Sequence, residues 1–268
     1  MICRAAALLL IATAAPLAAQ GNEPLPAETP TPALTAALAA PNRTPANVAR
    51  DKYRNPAATL AFFGVQPGHS VVEMWPGGGW YTEVLAPYLA AGGTLQVVPP
   101  AGRNDERIRT KIASDPVYGK VQVATFTAGQ PTAIAAGSAD VVLTFRNVHS
   151  WLDEKNPIAD AVFAEAFRVL KPGGTLGVVE HRLPEEAPDA KQLTSGYVKV
   201  STVKALAEKA GFQFAGASEV NANPKDTKDH PEGVWTLPPT LELGDKDKAK
   251  YLAIGESDRM TLKFVKPL

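Results

Sequence analysis

A glycine-rich segment is the part of the sequence best suited to hold a ligand. Residues 73–79 read EMWPGGG, and they separate an apolar run typical of a buried strand (70–75) from a segment with helical periodicity (80–91). Glycines at such a junction let the backbone approach a ligand, and the free N–H groups at a helix start favour an anionic or polar group. A tight turn also requires glycine for steric reasons alone, so a purely structural role stays open.

A second polar segment, FRNVHSW at 145–151, ends the fourth predicted strand. His149 is a candidate general base, because imidazole has an ordinary pKa of about 6.5. Asn147 is a candidate to hold a carboxylate, an amide or an adenine edge, and Arg146 to pair with an anion or with Glu73. The alternative is that Asn147 caps the following turn and that His149 is hydrogen-bonded to neighbouring residues without contacting the ligand itself.

Two further groups of polar residues lie near these segments in the predicted fold. Glu180 and His181 close the fifth predicted strand, and Glu180 with His149 would also suit a hydrolase or a lyase. The spacing of these three residues is not that of His-x-x-x-His or a similar ligand set, so no metal site is predicted. The charged run at 50–56 surrounds Tyr53, which is either a lid residue and second candidate base or part of a solvated surface.

The elements that position these residues alternate between strands and helices. Strands are predicted at 70–75, 94–100, 121–126, 139–151, 175–182, 213–220 and 260–267, and the main helices at 80–91, 103–114, 156–170 and 200–212. This order predicts an α/β fold: a Rossmann-like, doubly wound, mainly parallel seven-stranded sheet with helices on both faces and an antiparallel last strand. The carboxyl ends of parallel strands face the ligand crevice, so the polar segments should converge there.

The rest of the chain divides into segments of different composition. Residues 1–19 have a basic start, an apolar run and small residues before a cleavage point near Ala19, which is typical of a secretory signal peptide. Residues 20–42 predict a flexible lead or, at most, a short surface helix, and the folded domain should span 43–268. Within it, 221–258 is an irregular insertion whose segment HPEGVWTLPP (230–239) is a candidate second wall of the pocket.

Composition excludes several classes of protein. The 268 residues carry 27 basic and 27 acidic side chains, which argues against a nucleic-acid binder held by phosphate contacts. The single Cys lies in the predicted signal peptide, so the mature chain has no disulfide or thiolate metal site. We expect an exported, periplasmic protein with no stable membrane span after signal cleavage, and the sequence leaves its oligomeric state open.

The motifs resemble those of the class I S-adenosylmethionine-dependent methyltransferases, and more narrowly those of a bacterial exported group. Residues 73–79 resemble the acidic-x-Gly-x-Gly-x-Gly motif, and FRVLKPGGTLGVVE (167–180) resembles the helix, turn and fifth strand of that family. The resemblance implies S-adenosylmethionine as cofactor. It implies cofactor-binding roles for Glu73, Gly77, Gly78 and Gly79. From their position and chemistry, Trp75, Arg146 and Asn147 are further candidates to bind the cofactor, and His149 or Tyr53 is the candidate catalytic base.

Two positions depart from the family pattern. Where the family usually has an acid that holds the ribose hydroxyls, the second strand runs VVPP (97–100), and Trp75 replaces the first glycine of the motif. The sequence therefore predicts an exported methyltransferase acting on a small molecule. The alternative is a non-catalytic protein of the same fold that binds a nucleoside-like or aromatic small molecule.

Overall fold

The computed structural model describes residues 31–268. The predicted signal peptide, residues 1–19, and residues 20–30 of the predicted lead lie outside this part of the chain. Within the described residues, none of the helices has the length and apolar character needed to cross a lipid bilayer.

An eight-stranded sheet organises the described residues. Its strands are β1 (Ser70–Met74), β2 (Thr94–Val98), β3 (Gln122–Val123), β4 (Ala139–Phe145), β5 (Leu170–Leu183), β6 (Val198–Lys199), β7 (Gln213–Ser218) and β8 (Arg259–Val265). The order across the sheet is β3-β2-β1-β4-β5-β8-β7, and the short β6 pairs with β5 outside this path. Strands β1 to β6 pair in parallel, whereas β8 runs antiparallel to both β5 and β7.

Eleven α-helices are found in the described part of the chain. They are α1 (Pro32–Leu38), α2 (Pro45–Val48), α3 (Asp51–Arg54), α4 (Pro56–Phe62), α5 (Thr82–Leu89), α6 (Arg103–Ala113), α7 (Val148–Trp151), α8 (Ala159–Val169), α9 (Lys191–Thr194), α10 (Val200–Lys209) and α11 (Lys248–Ile254). Helices on both sides of a mainly parallel sheet confirm the predicted fold class.

The central strands show why this sequence forms a sheet covered on both faces. In β1 and β4, neighbouring residues belong to opposite apolar cores: Val72 and Val142 pack with α8 and α10, while Val71 and Val141 pack with α4 and α5. Successive side chains of a strand point to opposite faces, so a strand between two helical layers must be apolar at every position. That requirement produces the continuous apolar runs in the sequence.

The fourth strand ends earlier than predicted. Strand β4 stops at Phe145, because Arg146 adopts a left-handed backbone conformation (φ 62°) and α7 begins at Val148. Residues 146–151, predicted as the end of this strand, are instead a turn and a short helix. The polar side chains of this segment therefore project from a bend at the carboxyl edge of the sheet.

Of the two alternatives predicted for residues 20–42, a flexible lead or a short surface helix, the part from residue 31 onward forms a short helix, but one that is partly buried rather than on the surface. Helix α1 begins after Thr31, whose hydroxyl accepts a hydrogen bond from the Leu34 amide, and Pro32 occupies its first turn. Leu34 and Ala37 are buried in the apolar core shared with α4 and α5. Two well-placed apolar residues suffice to dock a short helix, although the composition around them is typical of a linker.

We expect Leu34→Ala to lower the free energy of unfolding by about 2–4 kcal/mol, because it empties a site in which the side chain is only 1% exposed. Urea denaturation measures this change. Leu252→Ala, at a position 49% exposed on α11, is the control and should change stability by less than about 0.5 kcal/mol. Equal effects of the two substitutions would show that α1 does not pack on the core.

Candidate active site

A cavity of about 530 Å³ opens at the carboxyl ends of β1, β4 and β5. This is the edge at which parallel α/β sheets bind ligands, and the volume lies within the range of about 300–1,000 Å³ usual for small-molecule sites. Its lining residues are Thr44, Asn47, Arg50, Arg54, Trp75, Pro76, Gly77, Gly78, Trp80, Arg107, Lys111, Phe145, Arg146, Asn147, His149, His181, Val234, Trp235, Pro238, Pro239, Thr240 and Arg259.

The glycine-rich turn after β1 forms one wall of the cavity. Gly77 (φ 57°) and Gly79 (φ 77°) adopt left-handed conformations that favour glycine. A Cβ atom at Gly77 would meet nothing within 4 Å, so the backbone here faces open space. At Gly78 the same atom would lie 3.0 Å from the Arg107 guanidinium, so α6 packs closely over this part of the turn. The turn is therefore open to a ligand on one side and covered by basic side chains on the other.

Trp75 lies beside the cavity without filling it. Its backbone is left-handed (φ 52°), which is uncommon for a bulky residue, and such strained positions cluster at functional sites. The ring packs against Phe126 and Trp151, with centroid distances of 4.9 and 5.3 Å. These contacts hold Trp75 against the segment after β3 and against α7, and the neighbouring space remains open.

Glu73 lies behind the turn and does not line the cavity. Its side chain is 2% exposed and accepts a hydrogen bond from the Thr82 hydroxyl at 2.6 Å. Burial raises the pKa of Glu73 from 4.5 to about 7, and the Thr82 hydrogen bond opposes that rise only in part. In this structure the acid of the motif connects the end of β1 to α5.

Because its pKa is raised, Glu73 should make the stability of the protein depend on pH. Between pH 4.5 and 7 the folded protein holds a proton that the unfolded chain has released, so stability falls as pH rises through this window. We expect Glu73→Gln to remove this dependence, since its carbonyl still accepts from Thr82. The free energy of unfolding of the variant minus that of the wild type should therefore rise by about 3 kcal/mol as the pH is raised from 4.5 to 7.

Urea denaturation at several pH values measures the effect. Glu106→Gln, which removes an exposed carboxyl on α6, controls for the loss of one acidic group. A difference between Glu73→Gln and wild type that stays constant across the pH range would contradict the raised pKa.

Asn147 connects two walls of the cavity. Its amide nitrogen donates to the carbonyl oxygens of Met74 (3.3 Å) and Trp75 (3.2 Å) and to the Thr144 hydroxyl (3.0 Å). The side chain makes no capping bond to α7, so the proposed capping role is wrong. Because the nitrogen is engaged with the protein, the carbonyl oxygen is the atom of Asn147 that remains to accept from a ligand.

His149 and Glu180 form a hydrogen-bonded pair at the end of the cavity. Glu180 is fully buried, and its Oε1 lies 3.0 Å from His149 Nδ1. The other oxygen, Oε2, accepts from the His149 backbone amide at 3.3 Å. A carboxylate at Nδ1 favours a proton there, which leaves Nε2 as the acceptor. This arrangement is that of an oriented general base.

His181 is the third member of this cluster. Its Nδ1 lies 2.5 Å from the Ser257 hydroxyl, and ligand atoms of His149, Glu180 and His181 all fall within 4.8 Å of one another. The pKa of His181 is lowered, first by burial and then by the positive charges of neighbouring groups. Within the described residues, the Nδ1 atoms of His149 and His181 are engaged by Glu180 and by Ser257, so the three side chains belong to a hydrogen-bonded cluster. Glu180 and His181 are adjacent in β5 and His149 follows β4, so the expected convergence of these polar residues at the carboxyl edge of the sheet is found.

Tyr53, the second candidate base, does not line the cavity. Its ring packs over Gly255, where a Cβ atom would lie 2.7 Å from the ring. The neighbouring arginines of the charged run, Arg50 and Arg54, do line it. The charged run at 50–56 therefore contributes two arginine side chains to the cavity wall, and the Tyr53 hydroxyl is not part of that wall.

The insertion at 221–258 provides the outer wall, as its composition predicted. Val234, Trp235, Pro238, Pro239 and Thr240 all line the cavity. The Trp235 ring is 39% exposed and approaches the ring of His149 edge-on, with 6.0 Å between centroids. The aromatic side chain thus borders the candidate base.

Several lining residues were missed by sequence reasoning. Arg107 and Lys111 come from α6, and Arg259 comes from the start of the last strand, far from any recognisable motif. The basic pattern RIRTK (107–111) directly after the second strand was the one available signal. Neither Pro99 nor Pro100, which replace the expected ribose-binding acid, lines the cavity.

Comparison with known proteins supports the assignment of the fold. Residues 73–178 match the family described as Methyltransferase domain. No curated protein matches the chain. Among solved structures, a SAM-dependent methyltransferase from Aquifex aeolicus is similar, with a TM-score of 0.54, 18% identity and coverage of 67% of this chain and 89% of that one.

Two further structures show the range of proteins that share this fold. A SAM-dependent methyltransferase from Methanosarcina mazei has a TM-score of 0.53 and 14% identity over 78% of this chain and 97% of that one. The [4+2]-cyclase SpnF has a TM-score of 0.56 and 16% identity over 80% of each chain. Residues 73–178 thus match a methyltransferase domain, the chain has the fold of the class I S-adenosylmethionine-dependent methyltransferases, and the match supports S-adenosylmethionine as its cofactor.

Proposed function

We propose that this protein binds S-adenosylmethionine in the cavity and transfers its methyl group to a small-molecule acceptor. The observation that carries the proposal is that the open glycine turn and His149, which is hydrogen-bonded to Glu180 behind it, line one cavity; both lie within residues 73–178, the part of the chain that matches a methyltransferase domain. The cofactor, when bound, supplies an electrophilic methyl group on a sulfonium ion.

The lining residues fit the chemical groups of this cofactor. The open backbone face at Gly77 admits a ligand, and Arg107 beside the turn offers a cation to its carboxylate, whereas Lys111 is already paired with Glu83 at 2.6 Å. The aromatic ring of Trp75 offers a face to a sulfonium ion, to which the ring quadrupole is attractive. The ring of Trp80 is already covered by the Arg54 guanidinium. The carbonyl oxygen of Asn147 is an acceptor for an amino group.

His149 is the residue that would remove a proton from the methyl acceptor. Its Nε2 is the free basic nitrogen, and Glu180 stabilises the imidazolium that forms when this nitrogen takes a proton. Most of the remaining catalytic effect would come from holding the partners in line and away from water, since methyl transfer needs positioning more than covalent help.

Binding and transfer are tested separately. Calorimetry on the purified protein with S-adenosylhomocysteine should give micromolar binding. Incubation with methyl-labelled S-adenosylmethionine and a small-molecule extract of the source organism should then label an acceptor. Absence of binding at millimolar S-adenosylhomocysteine would contradict the proposed function.

The alternative, a non-catalytic small-molecule binding protein, is favoured by one observation. No carboxylate of the described residues lines the cavity, so the acid that usually holds the ribose has no replacement there. A shared fold does not fix the reaction, as the similarity to a cyclase illustrates. Binding of S-adenosylhomocysteine without labelling of any acceptor would support this alternative.

We also propose that the protein is exported to the periplasm. The proposal rests on the sequence of residues 1–19, with its apolar run after Arg4. Expression of the full chain followed by fractionation and N-terminal sequencing tests it. A mature protein beginning near Gln20 in the periplasmic fraction is expected, and an intact N-terminus in the cytoplasm would overturn it.

A further inference from the structure

One end of the cavity carries an excess of positive charge. Arg50, Arg54, Arg146 and Arg259 all line this cavity. Glu256, which is buried, pairs with Arg50 (2.5 Å), with Arg54 (3.3 Å) and with Arg259. One carboxylate thus serves three guanidinium groups, and its own pKa is held at about 2, where the pull of the arginines outweighs the effect of burial.

Arg54 is the clearest sign that a partner is missing from this end. Its side chain is 3% exposed, and both terminal nitrogens, Nη1 and Nη2, are buried without a hydrogen-bond partner among the described residues. Its guanidinium lies over the ring of Trp80, 4.7 Å from the centroid. A buried charged donor without an acceptor is costly, and native proteins usually satisfy such groups.

Arg146 also faces this end of the cavity. It projects from the strained turn after β4, is half-buried, and has no side-chain hydrogen bond to another described residue. The pKa of Arg146 is lowered to about 10, first by burial and then by the charge of Arg259. Burial and the charge of Arg146 lower the pKa of Arg54 as well. An arginine keeps its proton at neutral pH, so these cations repel one another unless an anion joins them.

We propose that this end of the cavity binds an oxyanion, a carboxylate or a phosphate group, carried by the methyl acceptor. The anion would receive hydrogen bonds from Arg54 and Arg146 and lie beside His149. Planar guanidinium groups suit both kinds of oxyanion, because each presents parallel donors to two oxygen atoms. As an identification of the acceptor, this proposal rests on the proposed function.

The charge of the cofactor strengthens the argument. S-adenosylmethionine carries a net positive charge. Of the six cationic side chains that line the cavity, Lys111 pairs with Glu83 and three arginines share Glu256, so the single carboxylate of the cofactor still leaves an excess of positive charge. An anionic acceptor would offset this excess, whereas a cationic or neutral acceptor would leave it. The same cations exclude positively charged molecules, so they also set specificity.

Anion binding is measured by calorimetry on the purified protein. The probes are inorganic phosphate and succinate, each titrated at constant ionic strength with chloride as the reference anion. We expect at least one probe to bind with a dissociation constant of millimolar or better, and the stronger of the two identifies the class of oxyanion. Failure of both to bind more tightly than chloride would overturn the proposal.

Substitutions locate the binding site. Arg146→Gln should weaken binding at least tenfold, since it removes a donor without disturbing a hydrogen bond to a described residue. Arg109→Gln removes the same charge from the exposed surface of α6, outside the cavity, and should leave binding unchanged. Equal affinity of wild type and Arg146→Gln would place the anion elsewhere. Arg54→Gln is a second variant at the same site, but it changes a buried residue and is at risk of failing to fold. Arg146→Gln therefore locates the anion site without depending on it.

The anion titrations are separable from the proposed methyl transfer. Phosphate or succinate binding without S-adenosylhomocysteine binding would sink the proposed function and leave an anion site. S-adenosylhomocysteine binding without either anion would leave the methyltransferase and overturn the anionic acceptor.

Discussion

Gly77→Trp should lower the affinity for S-adenosylhomocysteine at least 100-fold. The backbone of Gly77 faces open space in the cavity wall, so an indole ring attached there would occupy the volume into which the ligand must fit. Removal of the space for a ligand abolishes binding directly, whereas the loss of one hydrogen bond weakens it by a smaller factor. Calorimetry with the purified variant measures the change.

The control must separate the filled cavity from the strained backbone. Gly77 has a φ of 57°, and any L residue there costs roughly 1–2 kcal/mol in stability. Gly137 has a similar φ of 64° and open space around it, but it lies in an exposed turn before β4, at the opposite edge of the sheet. Gly137→Trp should therefore lose similar stability and keep full affinity. Unchanged affinity in Gly77→Trp would show that the ligand binds away from the glycine turn.

The fold was predictable because its signals are local. Each central strand is apolar on both faces, and each long helix carries one apolar side, so periodicity alone located β1, β4, β5 and α8. The boundaries were less predictable: the predicted fourth strand ran on through the polar residues Arg146 and Asn147 to 151, whereas the left-handed backbone of Arg146 ends the strand at Phe145. A backbone conformation imposed by tertiary contacts leaves little trace in a single sequence.

The part of the candidate site that lies on a recognisable motif or at the ends of neighbouring strands was predictable. The residues that reach the cavity from distant elements were not. His149 follows β4 and Glu180 lies near the end of the neighbouring strand β5, so sheet topology alone places them together, and the structure joins them at 3.0 Å. Arg259 reaches the same cavity from the antiparallel last strand. No spacing in the chain relates it to Arg54, because the two residues meet only through Glu256.

Glu73 illustrates a different limit of sequence reasoning. The motif places an acid at the end of β1 but does not specify which way its side chain points. Here it points toward Thr82 and is buried, so its main measurable property is a raised pKa. The ligand-facing role implied by the resemblance would require this side chain to leave its hydrogen bond.

His149→Gln should reduce the rate of methyl transfer to a labelled acceptor by about 10²–10⁴-fold, the range typical for the loss of a general base. Glutamine retains a polar side chain of similar length but has no basic nitrogen. The affinity for S-adenosylhomocysteine should stay within about threefold of wild type, because the proposed role of His149 concerns the acceptor. The measurements are the initial rate of label transfer and calorimetry on the same preparation.

Matched variants separate the loss of a base from a general effect of replacing histidine. His69→Gln changes a residue just before β1, at the sheet edge opposite the cavity, and should keep the full rate. Glu180→Gln keeps His149 but removes the charge that orients it, so the ¹⁵N shifts of the imidazole should no longer report a single Nδ1-protonated form, and the rate should fall less than in His149→Gln. A wild-type rate in His149→Gln would mean that the acceptor arrives already deprotonated or loses its proton to water, and the His149–Glu180 pair would then have only a structural role.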